Sequence, residues 1–273
     1  AAKWPTAAAK SRSTEVDNLA YLLCSLVKRK GAASVRLSVR SNLAPGSTAS
    51  PSQLNDLRWL AGASVPISEV DADLVRKTLE AVSKRQDGQP LSASVQSQRR
   101  TYLSGLMAFA VERKYVYENP VSQVKAKRNG KATVRPVTPL EVGDLVTARK
   151  IIAVMPDGVY KDFVLTVLLA GVRPSEAAAL QVSECVLPSE GWGELRLSKS
   201  AAASGKAWTD SGENRDERGL KHRAAGDTRT VPIPPELVEV LRVRIVGGKG
   251  LVFQTDGRPI SDVTCSRRWK EAR

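Results

Sequence analysis

Apolar residues recur at helical spacing through the first half of the chain. Val16, Leu19, Leu22, Leu23, Leu26 and Val27 share one stripe. The stripe predicts a helix that Ser13 or Thr14 can cap and that runs to about Lys30, where Gly31 stops it. Shorter helices are predicted over Val35 to Leu43 and Pro51 to Leu60. Asp71 or Asp73 opens another, with Leu74, Val75, Leu79 and Val82 inward. A longer helix is predicted from about Ala93 to Lys114, burying Val95, Tyr102, Leu103, Leu106, Phe109 and Ala110. Asn119-Pro120 ends this half. No strand pattern of any length interrupts it, so residues 1–124 read as an all-helical bundle.

The second half alternates between periods. Thr138-Pro139-Leu140-Glu141 has the layout of a capping box with proline at the first helical position, and predicts a helix to about Val154. A second helix is predicted over Tyr160 to Ala170, and a third from Arg173-Pro174-Ser175-Glu176 to about Leu180. Short strands follow over about Ser183 to Leu187, Glu194 to Leu197 and Thr228 to Pro232. Pro235 to Ile245 is predicted helical, Leu251 to Phe253 a strand, and Ser261 onward helical. The polar stretch Lys199 to Gly219 reads as a long mobile hairpin tip. The fold class expected is mainly α with a small antiparallel β-sheet.

Between the halves, KAKRNGKATVR from Lys125 to Arg135 carries five basic residues and no acid. Gly130 and Pro136 break helix there, so 125–137 reads as a basic linker. The whole chain of 273 residues holds 42 Lys+Arg against 28 Asp+Glu, a net +14. That excess favours a polyanionic partner, because cations that screen phosphates release condensed counterions. The charge is evenly divided: 17 basic and 10 acidic residues precede Lys125, 25 and 18 follow from it, an excess of seven on each side. A clamp touching DNA with both halves fits this division better than a basic tail.

Other composition signals narrow the class. An apolar fraction of 42% supports packed cores. The longest apolar run, Phe163 to Val172, is about half a membrane span and reads as a buried helix. Cys24, Cys185 and Cys265 are odd in number and far apart, which fits a reducing, cytoplasmic setting rather than a disulfide framework. One histidine, no Cys-x-x-Cys and no His-x-x-x-His argue against a structural metal site, and no cofactor is expected. The chain does not begin with Met and lacks a secretion-signal layout, so a fragment is one expectation.

Two segments could carry chemistry. In Ala170-Gly171-Val172-Arg173-Pro174-Ser175-Glu176, an apolar helix meets a glycine turn and then an arginine at a new helix start, with a glutamate one turn on. An arginine there is electrostatically odd unless the site takes a phosphate, gripped by guanidinium and helix N–H groups together. Glu176 can hold that guanidinium; an ordinary surface ion pair is the plainer alternative. The other segment is Gly219-Leu220-Lys221-His222-Arg223, followed by Asp227-Thr228-Arg229-Thr230-Val231-Pro232-Ile233-Pro234. A lysine near a hairpin tip can protonate an alkoxide leaving group if its pKa is lowered. An exposed basic turn is the alternative.

Gly171-Val172-Arg173-Pro174-Ser175-Glu176 resembles the first-arginine motif of the tyrosine recombinases, or phage-type integrases. Lys221 to Pro235 resembles their lysine hairpin with the strand and helix after it. Phe109-Ala110-Val111-Glu112 with Asn119-Pro120-Val121 resembles the end of their core-binding domain. The order and the intervening linker agree, over nearly the whole chain. The resemblance implies a helical, SAM-like core-binding (DNA-clamping) domain over 1–124 and an α+β catalytic domain over 138–273 that lacks its C-terminal part. It implies site-specific recombination or integration at a double-stranded DNA attachment site, through a 3′-phosphotyrosine and without metal, by a homotetramer on DNA in the full-length form. Arg173 would be the first arginine, Glu176 its buttress and Lys221 the general acid; His222 is read as incidental. For DNA contacts, Lys125, Lys127, Arg128 and Lys131 of the linker are expected, together with Arg99 and Arg100 on the long helix. Localisation would be cytoplasmic, at the nucleoid when bound.

The same resemblance exposes an absence. No His-x-x-Arg occurs, and all five tyrosines, Tyr21, Tyr102, Tyr115, Tyr117 and Tyr160, precede Arg173. If the family's order holds, none is the nucleophile, and the catalytic domain is expected to be truncated after Trp269-Lys270-Glu271-Ala272-Arg273. Trp269 is then a packing residue. Binding without cleavage is the expectation, since removal of a nucleophile abolishes covalent catalysis. The alternatives are a non-catalytic DNA-binding remnant of an integrase and, from charge alone, a structural RNA-binding protein.

Overall fold

The computed structural model describes residues 6–29, 31–44, 46–85, 87–125, 144–224 and 226–273. Two compact units are present, Ala1–Arg135 and Pro136–Arg273. Most of the basic linker, with Lys127, Arg128 and Lys131, lies outside the described residues, as do Thr138 to Glu141.

In the first unit the described elements are helical: α1 (Ala9–Leu23), α2 (Ala33–Asn42), α3 (Pro51–Ala63), α4 (Ala72–Ala81), α5 (Ala93–Glu112) and the single turn α6 (Pro120–Gln123). Local capping chemistry explains several starts. Ser50 and Gln53 exchange hydrogen bonds in a capping box ahead of Pro51. Asp71 caps α4 through the Leu74 N–H at 2.8 Å, and Asn119 caps α6 through the Val121 N–H at 3.0 Å. Leu22, Val75, Leu103, Met107 and Val121 form the main core, and a smaller cluster joins Ala20, Val35 and Val39 to Leu57, Trp59 and Leu60.

The first helix departs from expectation at both ends. It starts at Ala9, so Ser13 is buried inside it and Thr14 bonds back to the Lys10 carbonyl at 2.8 Å; neither is a cap. The alanines upstream are strong helix formers and need no polar start. It stops at Leu23 because residues 26–28 pair as extended chain: the Val65 N–H bonds Leu26 O and the Lys28 N–H bonds Ala63 O. Phe109, expected inside, is 48% exposed with the Arg113 guanidinium over its ring.

The second unit places helices around a small sheet. α7 (Leu145–Val154) is capped by Asp144, and α8 (Val159–Ala170) is followed by α9 (Pro174–Ala177). Strands β1 (Cys185–Val186), β2 (Gly193–Leu197) and β5 (Arg229–Ile233) form an antiparallel sheet in the order β1-β2-β5, with Leu195 opposite Val231 and Leu197 opposite Arg229. α10 (Pro235–Ile245) covers it. A minor hairpin, β6 (Gln254–Thr255) and β7 (Arg258–Pro259), precedes α11 (Asp262–Ala272), which Ser261 caps. The strand expected over Leu251 to Phe253 is reduced to one bridge, Gln181 to Leu251. The core comprises Phe163, Leu180, Leu195, Leu197, Ile233, Leu237, Leu241 and Phe253. Phe163 and Phe253 meet edge to face at 5.3 Å between centroids.

Lys199 to Gly219 is not a loose tip. It is a second antiparallel hairpin, β3 (Lys199–Ala203) against β4 (Arg215–Gly219), with only 204–214 connecting. Trp208 is buried under that connection. Arg215 ties the hairpin down, donating to Ala201 O and Ile260 O at 2.7 Å each and pairing with Asp262. These strands are concealed because β3 carries alanines and β4 charged residues, neither of which gives a strand pattern, and their order comes from cross-strand pairing, the burial of Ala201 and one well-placed arginine.

Candidate phosphate-binding site

Glu176 is the centre of the site. It lies on α9 and is 1% exposed. A buried carboxylate requires partners, and it has three. The Arg173 backbone N–H donates to Oε2 at 2.9 Å, the Arg173 guanidinium donates to Oε1 at 2.8 Å, and the Arg229 guanidinium donates to Oε2 at 2.7 Å. Burial pushes the Glu176 pKa up, but the hydrogen bonds from Arg173 and the charges of Arg229 and Arg173 outweigh it, leaving the pKa below its ordinary value. One carboxylate thus faces two guanidiniums, and the cluster carries a net positive charge.

Backbone conformation sets this arrangement. Gly171 ends α8 in the left-handed region at φ 60°, where glycine avoids the Cβ penalty. Val172 is buried, and Arg173 then precedes Pro174 in an extended conformation. The Arg173 side chain remains 57% exposed. α9 has only four residues, so the attraction at this site rests on the guanidiniums rather than on a helix dipole.

Arg229 was not anticipated as a site residue. A signal for it existed: in Arg229-Thr230-Val231-Pro232-Ile233 the alternation places Arg229 in the same row as buried Val231 and Ile233. An arginine in an inward row needs acceptors for its donors, and here Glu176 supplies one.

The other expected residues divide. Lys221 is exposed, two residues past the end of β4, in the connection that returns as β5. It is therefore not at the tip of the β3–β4 hairpin, and it makes no hydrogen bond or ion pair with Arg173 or Glu176. Buried Leu220 fixes the chain beside it. His222 is exposed in the left-handed region at φ 62°. Lys125 is exposed.

Arg99 does not face outward. It is 6% exposed, donates to Val82 O, and lies 4.1 Å from the Tyr21 ring centroid. Arg100 is half-buried, bonding Val121 O at 2.9 Å and also Val124 O. Both guanidiniums serve the fold: a helix that packs on two sides leaves adjacent positions facing neighbouring segments.

Tyr160, the one tyrosine of the second unit, is buried, with its hydroxyl accepting the Ser261 N–H at 3.4 Å and Arg268 over its ring. Burial raises the pKa of Cys24 and Cys265 and pushes Cys185 up to about 12, so the thiols are not activated. Trp269 lines a cleft together with Ile152, Phe163, Leu168 and Cys265. Among the described residues no group of His, Cys, Asp and Glu could hold a metal ion, and no helix is long and apolar enough to cross a membrane.

No protein-family profile matches the sequence, and no curated protein is similar to it. Solved structures do match in fold. The Tn1549 transposon integrase in complex with a circular intermediate DNA superposes with a TM-score of 0.55 at 14% identity, over 89% of this chain and 80% of that one. The XerH site-specific recombinase bound to its difH substrate superposes with a TM-score of 0.50 at 12% identity, over 97% and 79%. The chain has a tyrosine recombinase fold, mainly α with small antiparallel sheets.

Proposed function

We propose that this chain binds duplex DNA as a site-specific recombinase of the tyrosine class. In this reading residues 1–124 are the core-binding domain, 125–137 a basic linker and 138–273 the catalytic domain. The observation that carries it is the Glu176-anchored guanidinium of Arg173, on a fold shared with integrases captured on DNA. Arg173 binds a non-bridging oxygen of the scissile phosphate and stabilises the charge that develops there. Glu176 holds Arg173 in place. Lys221, on its exposed loop, protonates a 5′ leaving oxygen once a tyrosine from outside these 273 residues attacks the phosphate. Lys125, Lys127, Arg128 and Lys131 contact the phosphate backbone of the duplex. Strand exchange, which needs a nucleophile from outside these 273 residues, proceeds in a homotetramer, and the bound protein resides at the nucleoid.

These 273 residues bind without cutting. No His-x-x-Arg is present, and the tyrosine of the second unit is buried against Ser261. Anisotropy with a labelled duplex between 50 and 200 mM salt, and incubation with a nicked suicide duplex bearing the matching site, test the two halves of the reading. Affinity is expected to fall about a hundredfold if four phosphates are neutralised, with no covalent adduct. Salt-independent affinity refutes the phosphate reading, and an adduct refutes the non-cleaving one.

A further inference from the structure

Arg229 lies in the strand after the lysine loop, where no role was expected of it, yet it shares a carboxylate with Arg173. Glu176 Oε2 takes Arg229 at 2.7 Å and Oε1 takes Arg173 at 2.8 Å. The two guanidiniums are therefore separated by no more than one carboxylate group and two hydrogen bonds. They come from different elements, one from the turn after α8 and one from the first residue of β5, and Glu176 holds both.

Neither guanidinium is saturated by this contact. A guanidinium has five N–H donors, and Glu176 takes one from each side chain. Their side chains are 57% and 30% exposed, so both reach solvent while their anchor is buried. A single carboxylate cannot neutralise two guanidiniums, and like charges held this close repel. A second anion bound between them relieves that repulsion. Planar guanidiniums match a tetrahedral oxyanion better than a halide, because each can supply paired donors to two oxygens.

We propose that Arg229 and Arg173 form one two-guanidinium site for a phosphoryl-type oxyanion, with Glu176 as its shared buried anchor. This deepens the phosphate-site reading above and rests on it. It adds a consequence for the lysine loop. Arg229 opens β5 directly after the connection that carries Lys221, opposite Leu197 in the sheet. The carboxylate that orients Arg173 therefore also fixes the return end of the Lys221 loop, and oxyanion binding draws the two together.

The test is a titration of the full 273-residue chain with inorganic phosphate, observed through the arginine Nε–Hε NMR correlations, with chloride at matched ionic strength as control. Arg173 and Arg229 signals are expected to move together on one saturation curve, and not with chloride. R229Q is expected to weaken the response at Arg173 about tenfold, the equivalent of one charge-assisted hydrogen bond. R229K, which keeps the charge but not the planar donor pair, is expected to recover part of it, which a packing role for Arg229 would not produce. If the Arg229 signal is unmoved by phosphate, or if R229Q leaves the Arg173 curve unchanged, the shared site is wrong. The wild-type titration decides even where R229Q fails to fold. Shared phosphate binding with salt-independent duplex affinity would support this site and refute the recombinase reading instead.

Discussion

At the residue scale, Glu176 and Arg99 show opposite fates for charged side chains inside a protein. Glu176 is buried with a full set of donors, and its pKa is lowered despite desolvation. A carboxylate whose pKa is lower folded than unfolded stabilises the fold above the ordinary glutamate range, and that contribution is lost as pH falls through the folded value. E176Q keeps the volume but leaves two guanidiniums without a counter-charge. It is expected to cost about 1.5–3 kcal/mol at neutral pH, since hydrogen bonds to charged groups are removed. The difference from wild type should shrink as pH is taken below the ordinary glutamate range, read from denaturant midpoints. Arg99 has no carboxylate and is held by Val82 O and the Tyr21 ring, with its Nε unpaired. R99A is expected to destabilise by about 2–4 kcal/mol through lost packing and the orphaned carbonyl, while the salt slope of duplex binding stays unchanged. A changed slope at constant stability would restore Arg99 as a DNA contact.

At the scale of elements, helices were legible wherever apolar spacing and caps agreed. Asp71 caps the helix it was expected to open, and Pro235 to Ile245 is helical over the predicted span, whereas Ser50 and Asn119 are caps that only the structure revealed. The first helix was misread because a serine and a threonine in its interior imitate a cap. The β3–β4 hairpin was hidden because β3 is rich in alanine and β4 in charged residues, with no β-branched residue in either. Its order depends on Arg215, which reaches 45 residues along the chain to Ile260 O. R215A is therefore expected to release the hairpin. Limited proteolysis should cut within 199–219 in the variant and spare it in the wild type, and equal cutting would mean that strand pairing alone suffices.

At the scale of the whole molecule, the even charge division makes a quantitative claim. If both halves touch the duplex, each unit expressed alone should bind with a smaller salt slope than the full chain, since slope follows the number of phosphates neutralised. A full slope from one unit alone would reduce the other to a solvated basic surface.

The sequence alone determined the helical first half, the mixed second half, the basic stretch between them and the pairing of Arg173 with Glu176. These follow from spacing within one or two turns of chain, where periodicity and capping act. The tertiary structure decided that Arg99 and Arg100 point inward, that residues 199–203 and 215–219 pair as strands, and that Arg229 completes the Glu176 cluster from 53 positions away. The reason is physical: a side chain three residues off is a neighbour by helix geometry alone, whereas one brought across a sheet becomes a neighbour only when strand register and core packing place it there.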